Sequence, residues 1–235
     1  MKIALAPGDA RQEALGRLLA EDGCEVCPYA PGEEADVWLF PLPTGNHPAL
    51  AELKPGSLAL TALAAGEHPH LRLRDYYNKE EVLLRNAAIT AEGAIALAME
   101  KTERTLLGSR VLILGGGRIA RALGPRLRAL GAEVTVFARS PAQRAWAESA
   151  GCRSLDRLPE TPAGHHILFN TIPAPILARA AKGALNIELA SAPGGFRDPS
   201  GVVIARGLPG KTAPLSAAEA LHSSIQAILM EEASL

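Results

Sequence analysis

An apolar run that ends in three glycines and turns at once into a helical pattern leaves a chain few folds to choose from. Val111 to Ala120, VLILGGGRIA, is such a run. Arg110 to Leu114 has the all-apolar character of a strand covered on both faces, as in a parallel sheet. Ile119, Leu123, Leu127 and Leu130 then recur at helical spacing, with Gly131 as the stop. Glu133 to Ala138 follows as a second strand, at the distance a β-α-β crossover requires. The loop fits G-x-G-x-x-A, with Gly115, Gly117 and Ala120 in the three slots. Gly115 permits the tight turn, Gly117 lets main chain approach a diphosphate, and Ala120 lets helix and sheet pack closely. Amides of Gly115, Gly116, Gly117, Arg118, Ile119 and Ala120 then face an anion at the positive end of the helix dipole. A strand-to-helix turn with no ligand needs glycine too, so the loop alone leaves that reading open.

The second strand ends where a dinucleotide site reads the ribose. An NAD enzyme usually places a carboxylate there to bind the 2′-hydroxyl. Here the positions are Arg139 and Ser140, with Arg144 a turn further on. A guanidinium and a hydroxyl suit a 2′-phosphate, so the sequence predicts NADP(H), with NAD(H) as the alternative if Arg139 is an ordinary surface arginine.

The remaining patterning predicts an α/β fold with two domains. Residues 1–85 read as a small flavodoxin-like α/β substrate domain: strands near Lys2 to Ala6, Glu25 to Pro28, Val37 to Phe40, Ser57 to Thr61 and Leu71 to Leu73, with a helix at Ala14 to Leu19. Residues 86–215 read as a Rossmann domain with a doubly wound parallel sheet. It opens with a connecting helix capped by Thr90 and adds strands near His166 to Asn170, Leu185 to Leu189 and Val202 to Ala205. After a turn at Pro209 and Gly210, a helix at Ser216 to Glu232 makes residues 216–235 a C-terminal segment packing back toward the first domain.

Composition narrows the function classes. The formal net charge is −1, with no basic face suited to nucleic acid. No run reaches the ~18 apolar residues of a membrane span, and the N-terminus breaks into charge too early for a signal peptide. Three cysteines fit a reducing, cytoplasmic compartment. Cys24 and Cys27 form a C-x-x-C spacing, but no second pair accompanies them, so they read as strand residues. The six histidines have no metal-ligand spacing, and no metal is expected.

Four segments besides the glycine loop carry chemistry-bearing residues. Pro7 to Gln12 (PGDARQ) follows the first strand, where α/β proteins bind ligands. Arg11 is a candidate clamp for a substrate carboxylate, with Asp9 beside it; Asp9 capping a helix over a solvated Arg11 is the plain alternative. Asn86 to Gly93 marks the expected start of the connecting helix. There Thr90 would help bind an anion, and Asn86 and Glu92 are catalytic candidates, Glu92 as general base. Asn170, Thr171, Ile172 and Pro173 end a core strand and are candidates for the nicotinamide ribose or carboxamide. Ala190, in the glycine-rich segment 189–198, is a further cofactor contact, and Lys211 in GLPGKTAP a further substrate cation.

Taken in order, PGDARQ, DYYNKEEVLLRNAAITAEGAIALAMEKT, the GxGxxA loop, NTIP, ELASAPGG and GLPGKTAP make the chain resemble the A subunit of dipicolinate synthase over residues 1 to about 230. The resemblance implies NADP-dependent oxidation of a dihydrodipicolinate-type precursor during sporulation, a small dicarboxylate substrate and, for partner, a flavoprotein-like B subunit. A homo-oligomer is also expected. The chain departs from the family at Ala88-Ile89-Thr90, where the usual Ile-Pro-Thr loses its proline, and at Leu215, where a basic residue is usual. It is also shorter than is usual for the family between about Pro41 and Leu71. Two other readings fit the residues: an NADP-dependent reductase of another oxo or imino acid, and a non-catalytic nucleotide-binding subunit.

Overall fold

The structure, a computed structural model, describes residues 1–63, 66–158, 162 and 164–234. In chain order the elements are β1 (Lys2–Leu5), α1 (Ala10–Glu21), β2 (Glu25–Pro28), β3 (Val37–Leu39), α2 (Ala49–Glu52), β4 (Leu58–Thr61), β5 (Arg72–Asp75) and α3 (Glu80–Lys101). Then come β6 (Arg110–Leu114), α4 (Arg118–Ala129), β7 (Glu133–Phe137), α5 (Pro141–Ser149), β8 (Arg153–Leu155), β9 (Ile167–Asn170), β10 (Leu185–Glu188), β11 (Val202–Ile204), α6 (Leu208–Thr212) and α7 (Pro214–Ala233). Two compact units result: Met1–Asn86 with Pro209–Leu235, and Ala87–Leu208.

The first unit is built on a parallel five-stranded sheet in the order β2-β1-β3-β4-β5, the flavodoxin-like arrangement. Side chains alternate across it. Ile3, Leu39 and Leu60 pack with Leu15 and Leu19 of α1 and with Leu221, Ile225 and Ile228 of α7, while Phe40, Leu50 and Ala59 form a core on the other face. The Asp9 carboxylate accepts from the amides of Arg11 and Gln12 and so starts α1. The outer strand β5 carries Arg72 and Arg74, both ion-paired to Glu232, with Arg74 also on Glu231. Charge on that strand guards an otherwise open sheet edge.

The second unit holds a parallel six-stranded sheet in the order β11-β10-β9-β6-β7-β8. Its strand order reverses between β6 and β9, the switch point at which such sheets bind dinucleotides. Val111, Ile113, Ile167, Phe169 and Ile187 point into a core with Ala91, Ala94 and Ala98 of α3 and Leu123 and Leu127 of α4. Leu112, Leu114 and Leu168 point the other way, against Leu177, Ala181 and Phe196. Neither the connection from β9 to β10 nor that from β10 to β11 contains a helix among the described residues. Side chains shape these loops instead. Asn186, 2% exposed, accepts from the Ala181 amide and donates to the carbonyls of Ala181 and Ala184.

The fold class is the one the patterning implies, and three local readings change. The connecting helix starts at Glu80, ten residues before Thr90, because Glu80 and Glu81 supply the acidic first turn and no glycine or proline interrupts the chain before Gly93. Pro209 and Gly210 lie within α6 and not in a sharp turn, since proline is well suited to a first helical turn. Short β8 and α5 complete a sheet edge that the sequence patterning does not delimit. Among the described residues, α3 alone is long and apolar enough to match a membrane span by composition. Its alanines at 91, 94 and 98 are buried in the second unit's core, as in a core helix that passes the same test.

Candidate functional site

The glycine loop leaves β6 at the switch point. Gly115 has φ +104°, in the region that favours glycine, and a Cβ there would overlap the Thr171 hydroxyl. Gly116 is closed in as well: a Cβ would lie 2.7 Å from Cβ of Gln143 and 3.1 Å from that of Ala138. Gly117 differs from both. Its φ of −79° suits any residue, and a Cβ there meets nothing within 4 Å. It is the N-cap of α4 and supplies no side-chain hydrogen bond, so the first-turn amides are not capped by it. That first turn contains no acidic residue; Arg118 opens it. A cation at the positive end of a helix dipole is unfavourable by about 0.3–1 kcal/mol, a cost that a bound anion reverses. Ala120 is fully buried, as close helix–sheet packing requires.

At the end of β7, Arg144 donates to the carbonyls of Ala138 (3.0 Å) and Arg139 (2.8 Å) and fixes the loop. Arg139 is exposed, and its guanidinium makes no hydrogen bond or ion pair among the described residues. Ser140 is the N-cap of α5 but makes no capping hydrogen bond with its side chain. The end of β7 thus carries an exposed guanidinium and a serine hydroxyl that makes no capping bond.

Across the switch point, the end of β9 is a closed polar network. Asn170 is fully buried, and its amide donates to the Ile172 carbonyl (2.9 Å) and to Glu188 Oε1 (2.7 Å), while its oxygen accepts from the Ile172 amide (3.2 Å). Both donors are committed, so Asn170 has none left for a cofactor; it shapes the Asn-Thr-Ile-Pro turn instead. Thr171 donates its hydroxyl to the Leu114 carbonyl (2.8 Å). Ile172 is half-buried and Pro173 exposed. Glu188, 1% exposed, also accepts from the amides of Ala190 (2.9 Å) and Gly195 (2.6 Å). Ala190 is itself 4% exposed, and its carbonyl accepts from Arg206.

In the first unit, Arg11 lies at the carboxyl end of β1 with only 6% of its side chain exposed. One of its terminal nitrogens donates to the Leu42 carbonyl (2.5 Å) and to Asp9 Oδ2 (3.1 Å). Asp9 thus caps α1, as the plain alternative has it, but the arginine it pairs with is buried and not solvated. Gly210 packs directly on the Asp9 carboxylate, and Lys211 next to it is exposed. Gln12, 3% exposed, bonds the Leu39 carbonyl and holds the loop against the sheet.

The motif at residues 86–93 does not form a helix start. Asn86, Thr90 and Glu92 lie within continuous α3, whose amides at those positions serve the helix itself. Thr90 is buried, Asn86 donates to the Tyr77 hydroxyl, and Glu92 is a surface carboxylate 3.5 Å from Arg126 of α4. The anion site expected from free first-turn amides at Thr90 is therefore absent. Sequence reasoning also misses Glu188, although a signal exists: a charged residue ending a fully buried parallel strand must find buried partners. No group of three or more potential metal ligands occurs among the described residues.

Known proteins share both the sequence pattern and this architecture. A family model of the D-isomer specific 2-hydroxyacid dehydrogenase NAD binding domain matches residues 83–186. The A subunit of dipicolinate synthase from Bacillus subtilis (strain 168) is 33% identical over 173 residues, which is 68% of this chain and 58% of that protein. The chain is similar to dipicolinate synthase A subunits. The crystal structure of the dipicolinate synthase A chain from Bacillus subtilis matches with a TM-score of 0.77 at 25% identity, covering 100% of this chain and 98% of that one. The corresponding A subunit from Bacillus halodurans (TM-score 0.79, 22% identity, 97% of both chains) and a transhydrogenase from Sinorhizobium meliloti (0.73, 14%, 100% and 94%) share the fold. The sequence alignment spans less than two thirds of the curated relative, although the structural one spans nearly all of its counterpart. The matched family model is an NAD binding domain of dehydrogenase type, and the residues it matches include the glycine loop at Gly115 to Gly117.

Proposed function

We propose that this chain is the A subunit of a dipicolinate synthase: an NADP-dependent, cytoplasmic dehydrogenase that oxidises a dihydrodipicolinate-type dicarboxylate to dipicolinate during sporulation, together with a B subunit. The observation that carries the reading is Gly117. Packing requires glycine at 115 and crowds it at 116, but no packing contact among the described residues requires it at 117, so the missing Cβ is read as volume kept for a ligand. A diphosphate suits that volume at the N-terminal end of α4, where Gly117 supplies no side-chain cap.

Arg139 and Ser140 are assigned to the 2′-phosphate, with Arg144 fixing the loop that carries them. The main chain of Thr171 to Pro173 is assigned to the nicotinamide end. When bound, nicotinamide would accept a hydride from the partly reduced ring, whose accompanying proton passes to a base or solvent. Aromatisation makes the reaction downhill, so the protein chiefly has to hold and orient the substrate. In the first unit, Arg11 and Lys211 are assigned to its two carboxylates, with Asp9 orienting Arg11 through their ion pair. Glu92, paired with Arg126 at the surface, is not assigned as the base.

Calorimetric titration with NADPH and NADH, followed by turnover of dihydrodipicolinate-type precursor monitored at the nicotinamide absorbance with and without a B subunit, tests this reading. The expected result is tighter binding of NADPH and turnover in the complex. Binding without turnover would reassign the chain to a purely nucleotide-binding role, turnover of another oxo or imino acid alone would reassign the substrate, and no binding would refute the reading.

A further inference from the structure

The end of β10 holds a buried carboxylate that the cofactor and substrate assignments do not use. Glu188 is 1% exposed, and its two oxygens accept three hydrogen bonds, from Asn170, Ala190 and Gly195. The loop closes tightly on it. A Cβ at Gly194, where φ is +88°, would lie 2.8 Å from Glu188 Oε2, and one at Gly195 would overlap the Asn170 amide. From outside, Arg206 donates to the carbonyls of Ala190 (3.1 Å) and Pro193 (3.4 Å). Ser191, Ala192 and Pro193 are left exposed at the loop's tip. A buried carboxyl group needs partners for both oxygens, and three N–H donors supply them only while the loop keeps this shape.

We infer that Glu188 is a positioning residue for the nicotinamide half of the cofactor. It couples the Asn-Thr-Ile-Pro turn after β9 to the 190–195 loop after β10. Sheet order supports the location. The adenine ribose is assigned to the end of β7, so the rest of a dinucleotide crosses the switch point toward the ends of β9 and β10. Both turns there owe their shape to one carboxylate, through Asn170 in one and through two amides in the other. The inference rests on the dinucleotide reading for its ligand, but the clamp itself does not.

Glu188→Gln keeps the volume but turns an NH2 group toward either the Gly195 amide or the Ala190 amide and Asn170, leaving those donors without an acceptor and loosening the loop they share. Two measurements on the full chain separate the possibilities. First, hydrogen exchange without ligand should speed up at the amides of Ala190 and Gly195 by ten-fold or more; unchanged protection there would overturn the clamp. Second, affinity for ADP-ribose, which lacks nicotinamide, should stay within two-fold of the parent, while affinity for the preferred intact dinucleotide falls at least ten-fold. Equal losses for both ligands would mark a general structural role and overturn the assignment, as would no loss for either. A parent protein that binds neither would refute the dinucleotide reading and the nicotinamide role with it, and exchange would still decide the clamp. If Glu188→Gln does not fold, Arg206→Gln on an exposed side chain should give the same split, with at least a three-fold loss for the dinucleotide.

Discussion

Two glycines two positions apart should respond to the same substitution in opposite ways. Gly117→Ala places a methyl group in open space at an ordinary φ, so folding has little to lose. Alanine is a poorer N-cap than glycine by about 0.5–1 kcal/mol, and a restricted unfolded chain returns about 0.4–1 kcal/mol. The net change lies within about 1 kcal/mol, roughly 2–4 °C in Tm for a chain of this size. A methyl forced into a well-packed diphosphate contact costs about 1–3 kcal/mol, or roughly 5- to 150-fold in Kd. Gly115→Ala should show the reverse emphasis. Its φ of +104° carries strain of about 1–3 kcal/mol for alanine, and the overlap with the Thr171 hydroxyl adds about 1–3 kcal/mol. Thermal melts and NADPH titrations of both variants provide the comparison. A Gly117→Ala protein that melts and binds like the parent would refute the view that position 117 is kept bare for a ligand.

Arg139→Ala should weaken NADPH binding by roughly 10- to 100-fold, since a hydrogen bond to a charged partner contributes about 1.5–3 kcal/mol, and should leave NADH affinity unchanged; equal effects on both would remove Arg139 from cofactor discrimination. Phe169→Ala, at a fully buried site in the second unit's core, should cost about 3–5 kcal/mol in a denaturant melt, and a loss under 1 kcal/mol would contradict the packing described. His166 accepts the Arg110 amide on Nδ1 (3.2 Å), and burial together with Arg110, Arg104 and His165 lowers its pKa below 6.5. The unfolded chain therefore binds the proton more readily, so stability should fall as pH drops below about 6.5 through the window between the two pKa values. His166→Gln should flatten Tm between pH 7 and 5, and an unchanged slope would assign the acid sensitivity elsewhere.

How legible the fold and the site are in the sequence varies with the physics of each segment. Strands β2 and β6 can be read to the residue, and most of the others to within one or two. The β-α-β loop stands out because backbone sterics demand glycine at 115 and close packing demands a small residue at 120. The start of α3 is disguised because Thr90 followed by an acidic residue imitates a cap, whereas two glutamates and an unbroken run of helix formers carry the helix back to Glu80. Asn170 resembles a ligand contact because it ends a core strand. Only its bonds to Ile172 and Glu188 reveal that its donors are spent. Arg11 is legible as a cation at a strand end, but not its commitment to the Leu42 carbonyl, 31 residues away in sequence.

The loops that follow β9 and β10 borrow their form from Asn170, Asn186 and Glu188, where most crossovers rely on a helix's own ladder of bonds. A helix tolerates the loss of one rung, but these loops are held by a few ties that share partners: Glu188, Asn170, Asn186, Arg206 and the main-chain bonds of Ile176 and Leu177 to Gly195. The rim of this sheet should therefore open in one cooperative step, and one replaced side chain can reshape it without touching the strands beneath. Such an edge is well suited to altering what a dehydrogenase accepts while its framework stays the same.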